Sequence, residues 1–233
     1  MKKMHNIAVI LAGGTGSRVG GVTPKQFMPM ADGRSILEHS VDAFEASPHI
    51  DEIAVVMHPE WMEEARRLCD RNDWHKVAKI IPGGSERWES SWHAILAYLD
   101  FSSSLEGRTE VGLLFHDAAR PFVSQYIISE VCTALEAHEA VTVALPSTDT
   151  IYITENNRLI DMPPRETVWR AQTPQAFHLE TIAEAFRKAV EQGNIAATDD
   201  IGILHHYSPE IPVYIVPGEE QNRKITYRED LTK

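Results

Sequence analysis

Cysteine is nearly absent: Cys69 and Cys132 are the two in a chain of 233 residues. Both fall within apolar, helix-like patterns and match no metal-binding or redox spacing, so they read as buried, reduced thiols. Long hydrophobic runs are missing too. The apolar stretch near the start stops within seven residues, too short for a signal peptide. No run of about 18 apolar residues exists to span a membrane. Positive charge is in deficit, with 22 Lys and Arg against 34 Asp and Glu and a formal net charge of −12. That balance excludes nonspecific binding to nucleic acid or to a membrane surface, which needs net or clustered basicity. A few local cations in a pocket remain compatible with a small anionic substrate. The expectation is a cytoplasmic protein with no nucleic-acid or membrane partner. Internal repeats and low-complexity segments are absent, and 43% hydrophobic residues suffice for a buried core.

What is present is concentrated in Ile7 to Gln26, IAVILAGGTGSRVGGVTPKQ. Ile7 to Leu11 reads as a short buried strand. Ala12, Gly13, Gly14, Thr15 and Gly16 follow, then Arg18 and, past Pro24, Lys25. Glycines let backbone N–H groups approach an anion closely, and the two cations neutralise its charge, so the stretch reads as a polyphosphate loop. It is neither of the two commonest nucleotide loops. The dinucleotide fingerprint needs a glycine where Val19 stands, and no G-x-x-x-x-G-K-[ST] fits because Lys25 follows Pro24. The alternative is a glycine-rich strand-to-helix turn without a ligand.

Downstream the pattern alternates. Strand-like runs occur at Ile53 to Met57, Val77 to Ile81, Val111 to Phe115 and Val141 to Leu145. Helical spacing occupies Ser35 to Ala46 and the segments around Leu68, Ile95 and Val131. Such alternation implies a parallel sheet with helices on both faces, and ligands in such sheets sit at the carboxyl ends of the strands. Three loops follow strand ends there: the glycine loop, Gly83-Gly84-Ser85-Glu86-Arg87, and His116-Asp117-Ala118-Ala119-Arg120-Pro121. From residue 147 to 171 the periodicity breaks into short strand candidates, Ile151 to Thr154, Leu159 to Met162 and Val168 to Ala171, with a turn at Glu155-Asn156-Asn157. This reads as an arm with little core of its own, for which a second subunit is the natural support. Beyond it come a helix face on Leu179, Ile182 and Phe186, cap chemistry at Thr198-Asp199-Asp200, and a last strand at Val213 to Val216.

Taken in order, LAGGTGSR with PKQ, GGSER, HDAARPFV, DT, QTPQAF, TDD and N-R-K-I-T with DL resemble the 2-C-methyl-D-erythritol 4-phosphate cytidylyltransferase family, including the related ribitol 5-phosphate cytidylyltransferases. The resemblance covers nearly the whole chain. It implies one α/β domain over residues 1–233, a Rossmann-like, mostly parallel sheet of the nucleotidyltransferase type, with a β-arm at 147–171 for dimerisation. It implies transfer of CMP from CTP to a polyol phosphate with release of pyrophosphate, Mg²⁺ as cofactor, and a homodimer whose arms are exchanged.

By the same resemblance Arg18, Lys25 and Lys224 are the catalytic cations. Leu11, Ala12, Gly13, Gly14, Gly16, Gly83, Arg87, Ser90, Asp117 and Ala118 bind the nucleotide. Asp117, Arg120, Thr150, Arg165, Thr173 and Thr198 contact the acceptor, and Asp117 helps hold the metal. The alternative for Asp117 is an intramolecular pair with Arg120, and for the threonines it is turn and cap chemistry. Transfer of this kind rests on positioning and electrostatic stabilisation, and no serine or cysteine elbow is present. His205 and His206, adjacent on a helix, point apart and form no metal site. One departure stands on the acceptor side: Pro164 precedes Arg165 in MPPRE, where enzymes acting on methylerythritol phosphate usually carry aspartate. The proline resembles the ribitol branch, whereas HDAARP and TDD resemble the methylerythritol branch. The first expectation is therefore 2-C-methyl-D-erythritol 4-phosphate, with D-ribitol 5-phosphate as the alternative. A sugar 1-phosphate nucleotidyltransferase is more distant, as are a nicotinamide dehydrogenase and an inactive regulatory module.

Overall fold

The computed structural model describes residues 3–14, 24–100, 109–193, 195–227 and 229–230. Strand β1 (Lys3–Ala12) is an interior strand of a seven-stranded sheet. Its neighbours are β2 (Glu52–Met57) and β4 (Thr109–Asp117), both parallel to it, and β3 (Val77–Pro82) extends the sheet beyond β2. On the other side β4 pairs with β8 (Trp169–His178), β8 with β5 (Ala140–Pro146), and β5 with β9 (Val213–Pro217). Strand β8 runs antiparallel to both neighbours. The separate hairpin β6 (Ile153–Glu155) and β7 (Arg158–Asp161) forms the arm.

Period-two patterning puts a core on each face. In β1, Ala8 and Ile10 join one cluster with Leu37, Val41 and Phe44 of α1 (Ile36–Glu45), Leu68 of α2 (Met62–Asn72) and Val131 of α4 (Gln125–Leu135). The alternating Ile7 and Val9 join the other cluster with Ile95 and Tyr98 of α3 (Arg87–Leu99), Ile182 and Phe186 of α5 (Leu179–Gln192) and Ile203 of α6 (Asp200–Tyr207). Helix starts are chemically marked. Ser35 caps α1 in a capping box with Glu38, Ser124 caps α4, and Asp199 caps α6 by accepting from Gly202 N. Helix α5 stops at Gly193, which has φ 73°.

The sheet is mostly parallel, as the alternation pattern implies, with β8 running against its neighbours. The chain reaches β8 from the arm rather than through a crossover helix, so it enters the sheet from the opposite end. One reading is corrected: the sequence pattern assigns Val168 to Ala171 to the arm. Trp169, Arg170 and Ala171 instead pair with Pro146, Leu145 and Ala144 in the central sheet. The hairpin strands are displaced by one or two residues from the apolar runs and are exposed throughout.

Candidate active site

A cleft of 460 Å³ opens at the carboxyl ends of β1, β3 and β4. Leu11, Ala12, Gly13 and Gly14 form one wall; Gly84, Ser85, Arg87 and Ser90 form another. Asp117, Ala118 and Ala119 make the floor, and Lys25, Lys224 and Thr226 close the rim. The walls touch. Gly83 is packed so closely that a Cβ would stand 3.0 Å from Ser90 Oγ and 3.6 Å from Gly13 Cα. At Gly84 a Cβ would overlap the Glu89 side chain. Ser90 Oγ accepts from Gly84 N at 3.1 Å, tying this loop to the first turn of α3.

Asp117 is the electrostatic centre. Its carboxylate accepts from Lys224 Nζ at 2.7 Å and lies 3.5 Å from Arg87 Nε and 3.9 Å from Arg120 Nε. Burial alone would raise its carboxyl, but Arg87, Lys224 and Arg120 outweigh that and hold it well below the usual carboxylate range. Arg87 also faces Asp200, at 2.9 Å. Burial would lower the guanidinium's pKa, and the two carboxylates instead raise it above its ordinary value. A chain with net charge −12 thus gathers cations from three separate loops around one carboxylate.

Lys224 reaches the cleft because its neighbours are anchored. Asn222, fully buried, donates to Thr173 O at 2.8 Å, and its own carbonyl accepts from Arg120 Nη1 at 2.8 Å. Ile225, also fully buried, pairs its N–H with Ala119 O at 2.8 Å, and its carbonyl accepts from Lys25 Nζ at 2.7 Å. Between these anchors Lys224 faces Asp117. Lys25 and the C-terminal segment therefore meet although 200 residues separate them.

Behind the floor the hydrogen-bond directions are fixed. The Arg120 carbonyl can only accept, so His116 Nε2 donates to it at 3.0 Å and Nδ1 is left as an acceptor. The Thr173 hydroxyl then donates to Nδ1 at 2.9 Å and accepts from Asp117 N at 3.2 Å. Burial pushes His116 down to about 4, consistent with a neutral ring.

The sequence-predicted residues divide into groups. Leu11, Ala12, Gly13, Gly14, Lys25, Arg87, Ser90, Asp117, Ala118 and Lys224 line the cleft, and Gly83 stands directly behind it. Gly16 and Arg18 lie outside the described residues. Arg120 sits below the floor, bonded to the carbonyls of Asn222 and Ala171. Thr173 is buried and committed to His116 and Asp117. Thr198 is exposed just before α6, and the cap is its neighbour Asp199. Thr150 and Arg165 are exposed on the arm, outside the cleft, where Arg165 Nη1 donates to Thr148 O at 3.5 Å. Sequence reasoning missed Gln26, which donates to Ala12 O at 2.6 Å, along with Asn222 and Asp200. All three lie inside motifs whose other members were singled out.

A sheet that ends strand β1 in a glycine loop, facing a carboxylate clasped by cations from distant loops, defines an enzyme of the nucleotidyltransferase class. Comparison with known proteins narrows this. The family model described as 2-C-methyl-D-erythritol 4-phosphate cytidylyltransferase matches residues 6–233. A protein of that description from Thermobifida fusca is 42% identical over 96% of this chain and 89% of its own length. A bifunctional ribulose 5-phosphate reductase/CDP-ribitol pyrophosphorylase from Haemophilus influenzae is 40% identical over 99% of this chain and 48% of its own. The crystal structure of 4-diphosphocytidyl-2C-methyl-D-erythritol synthase from Anaerococcus prevotii superposes with a TM-score of 0.80 at 27% identity, covering 97% of this chain and 92% of the other. The chain belongs to the 2-C-methyl-D-erythritol 4-phosphate cytidylyltransferase family.

Proposed function

We propose that this enzyme transfers CMP from CTP to 2-C-methyl-D-erythritol 4-phosphate and releases pyrophosphate, a step of isoprenoid precursor synthesis. The observation that carries the reading is Asp117 held among Lys224, Arg87 and Arg120 at the floor of a glycine-walled cleft, in a chain of this family. An oxygen of the acceptor phosphate attacks the α-phosphorus of CTP. A new P–O bond forms, and the bond to the β-phosphate bridging oxygen breaks. Negative charge grows on the transferred and leaving groups, so fixed cations are the main catalytic need. Lys25 and Lys224, brought together at the rim by the Lys25–Ile225 contact, supply that charge. The backbone of Ala12 to Gly14, with Ser85 and Ser90, frames the nucleotide.

Mg²⁺ belongs to this proposal. It is a hard cation held by few carboxylates together with phosphate oxygens. Asp117, ionised and on the cleft floor, fits that donor set, and no cluster of three or more His, Cys, Asp or Glu side chains competes among the described residues. Its contribution when bound is to neutralise triphosphate oxygens.

A homodimer is proposed on the arm. Tyr152, Leu159, Ile160 and Met162 are all more than half exposed, an apolar surface that needs a cover. Thr150 and Arg165 lie on this arm rather than in the cleft of their own chain. Exchange of arms would bring both to a partner's acceptor site. The absence of any helix long and apolar enough to cross a membrane among the described residues is compatible with a cytoplasmic enzyme.

The second reading is D-ribitol 5-phosphate as acceptor, favoured by MPPRE around Arg165 and by the Haemophilus influenzae relative. Pyrophosphate release with CTP and Mg²⁺ decides between them. Faster turnover of 2-C-methyl-D-erythritol 4-phosphate than of D-ribitol 5-phosphate is expected. The reverse order would reassign the acceptor, and release with neither would overturn both readings.

A further inference from the structure

Asp200 has no exposed surface, and its side chain stands away from the cleft. A carboxylate there is costly to desolvate unless it is paired, and a buried ion pair is weak evidence for stability in its own right. The fold nevertheless takes trouble over its position. Gln175 of β8, itself buried, accepts from Asp200 N at 3.1 Å and from Ile201 N at 3.3 Å. The same side chain donates to Asp199 at 2.8 Å. Thus the QTPQ and TDD motifs lock together and fix the first turn of α6 against the sheet. The carboxylate so placed meets Arg87 Nη2 at 2.9 Å. Neither of its oxygens has a hydrogen bond of good geometry among the described residues, so the Arg87 charge is its compensation.

Arg87 is shared. Its Nε side is 3.5 Å from Asp117, which also has Lys224 and Arg120. Asp117 has three cations to draw on, whereas Asp200 has this one among the described residues. The two carboxylates pull the guanidinium in different directions, and the more deeply buried one has no substitute for it.

We infer that Asp200 is a positioning residue for nucleotide binding: it anchors Arg87 in the cleft wall, so that Arg87 does not collapse onto Asp117 when ligands enter. Asp117 then stays available to ligands and the guanidinium stays available to the nucleotide. This rests on the cytidylyltransferase reading of the cleft. Removing the Asp200 charge should let Arg87 pair fully with Asp117.

The test is CTP binding by calorimetry without acceptor, together with thermal melting and steady-state kinetics, on Asp200→Asn, Arg87→Gln and the double variant. Asp200→Asn should weaken CTP about 10- to 100-fold, the scale of one hydrogen bond to a charged group, with the change in KM for CTP exceeding that in kcat. In the Arg87→Gln background the same substitution should have almost no further effect on CTP, because the group it acts through is gone. The double variant should melt above Arg87→Gln alone, which strands a buried carboxylate. Equal weakening of CTP in both backgrounds, or wild-type affinity in Asp200→Asn, overturns the inference. Should a single variant fail to fold, a double variant that folds supports the pairing, and one equally unstable overturns it. If the nucleotide reading itself is wrong, no form binds CTP, wild type included, while the melting relation persists.

Discussion

Lys224→Met separates chemistry from folding most cleanly. The Lys224 side chain is 46% exposed, and its described partner is Asp117 at 2.7 Å. Losing it leaves Asp117 with Arg87 and Arg120, so no buried charge is stranded. The stability loss should therefore resemble that of a surface ion pair, about 0–1 kcal/mol. For a chain of this size that lowers Tm by no more than about 2–4 °C. The loss of activity should be much larger. A preorganised donor aimed at developing charge is worth about 10²- to 10³-fold in kcat. The assay is pyrophosphate release with CTP, Mg²⁺ and 2-C-methyl-D-erythritol 4-phosphate, alongside a thermal melt. A kcat within tenfold of wild type would refute the catalytic assignment. A Tm drop of more than about 10 °C would mean that Lys224 holds the segment rather than being held by it.

Asn222→Ala should show the opposite balance. It strips partners from Thr173 O and Gln172 Oε1 inside the protein, so a loss of about 2–4 kcal/mol is expected in denaturant melts. Lys25→Ala should reduce turnover by at least about a hundredfold with a smaller effect on Tm; unfolding instead would mark the Lys25–Ile225 contact as structural. Arg165→Ala should raise the KM of the acceptor and leave CTP binding and Tm nearly unchanged, because its side chain is exposed and outside the nucleotide cleft. Equal loss of both substrates would argue against an acceptor-side arm. Glu38 gives a pH prediction. Burial would raise its carboxyl, but hydrogen bonds from Ser35, Arg71 and Asn72 bring it down to about 2. A depressed carboxyl stabilises the fold above its unfolded value and loses that contribution as pH falls through the folded one. Glu38→Gln should therefore cost on the order of 3 kcal/mol near neutral pH, with the difference from wild type shrinking between pH 4.5 and 2. A constant difference across that range would refute it.

The charge distribution matters for all of these variants. A net charge of −12 would repel a triphosphate if it were spread evenly. Arg87, Arg120 and Lys224 are instead packed against Asp117 and Asp200, where carboxylates hold them in place, and Lys25 is held by the Ile225 carbonyl. Single substitutions in this cluster should therefore couple, whereas variants on the arm should behave independently.

The sequence by itself determined the sheet-and-helix alternation, the carboxyl-end loops and most cleft residues. These are encoded locally, because an apolar run of period two or 3.6, a capping serine and a glycine loop each act within a few neighbours. Ordered motifs added the family and the cations Lys25, Arg87 and Lys224. Tertiary structure alone decided the rest. The direction of β8 depends on the route the arm takes, which no residue of β8 records. The commitment of Thr173 to His116 and Asp117, and the Asn222 and Ile225 anchors beside Lys224, join segments dozens to hundreds of positions apart. The pairing of Arg87 with Asp200 is of the same kind. Sequence patterns report which groups a chain carries and which face of an element they occupy. Which charge meets which is set by the packing of whole elements against one another, and here that packing turned scattered motifs into one cluster around Asp117.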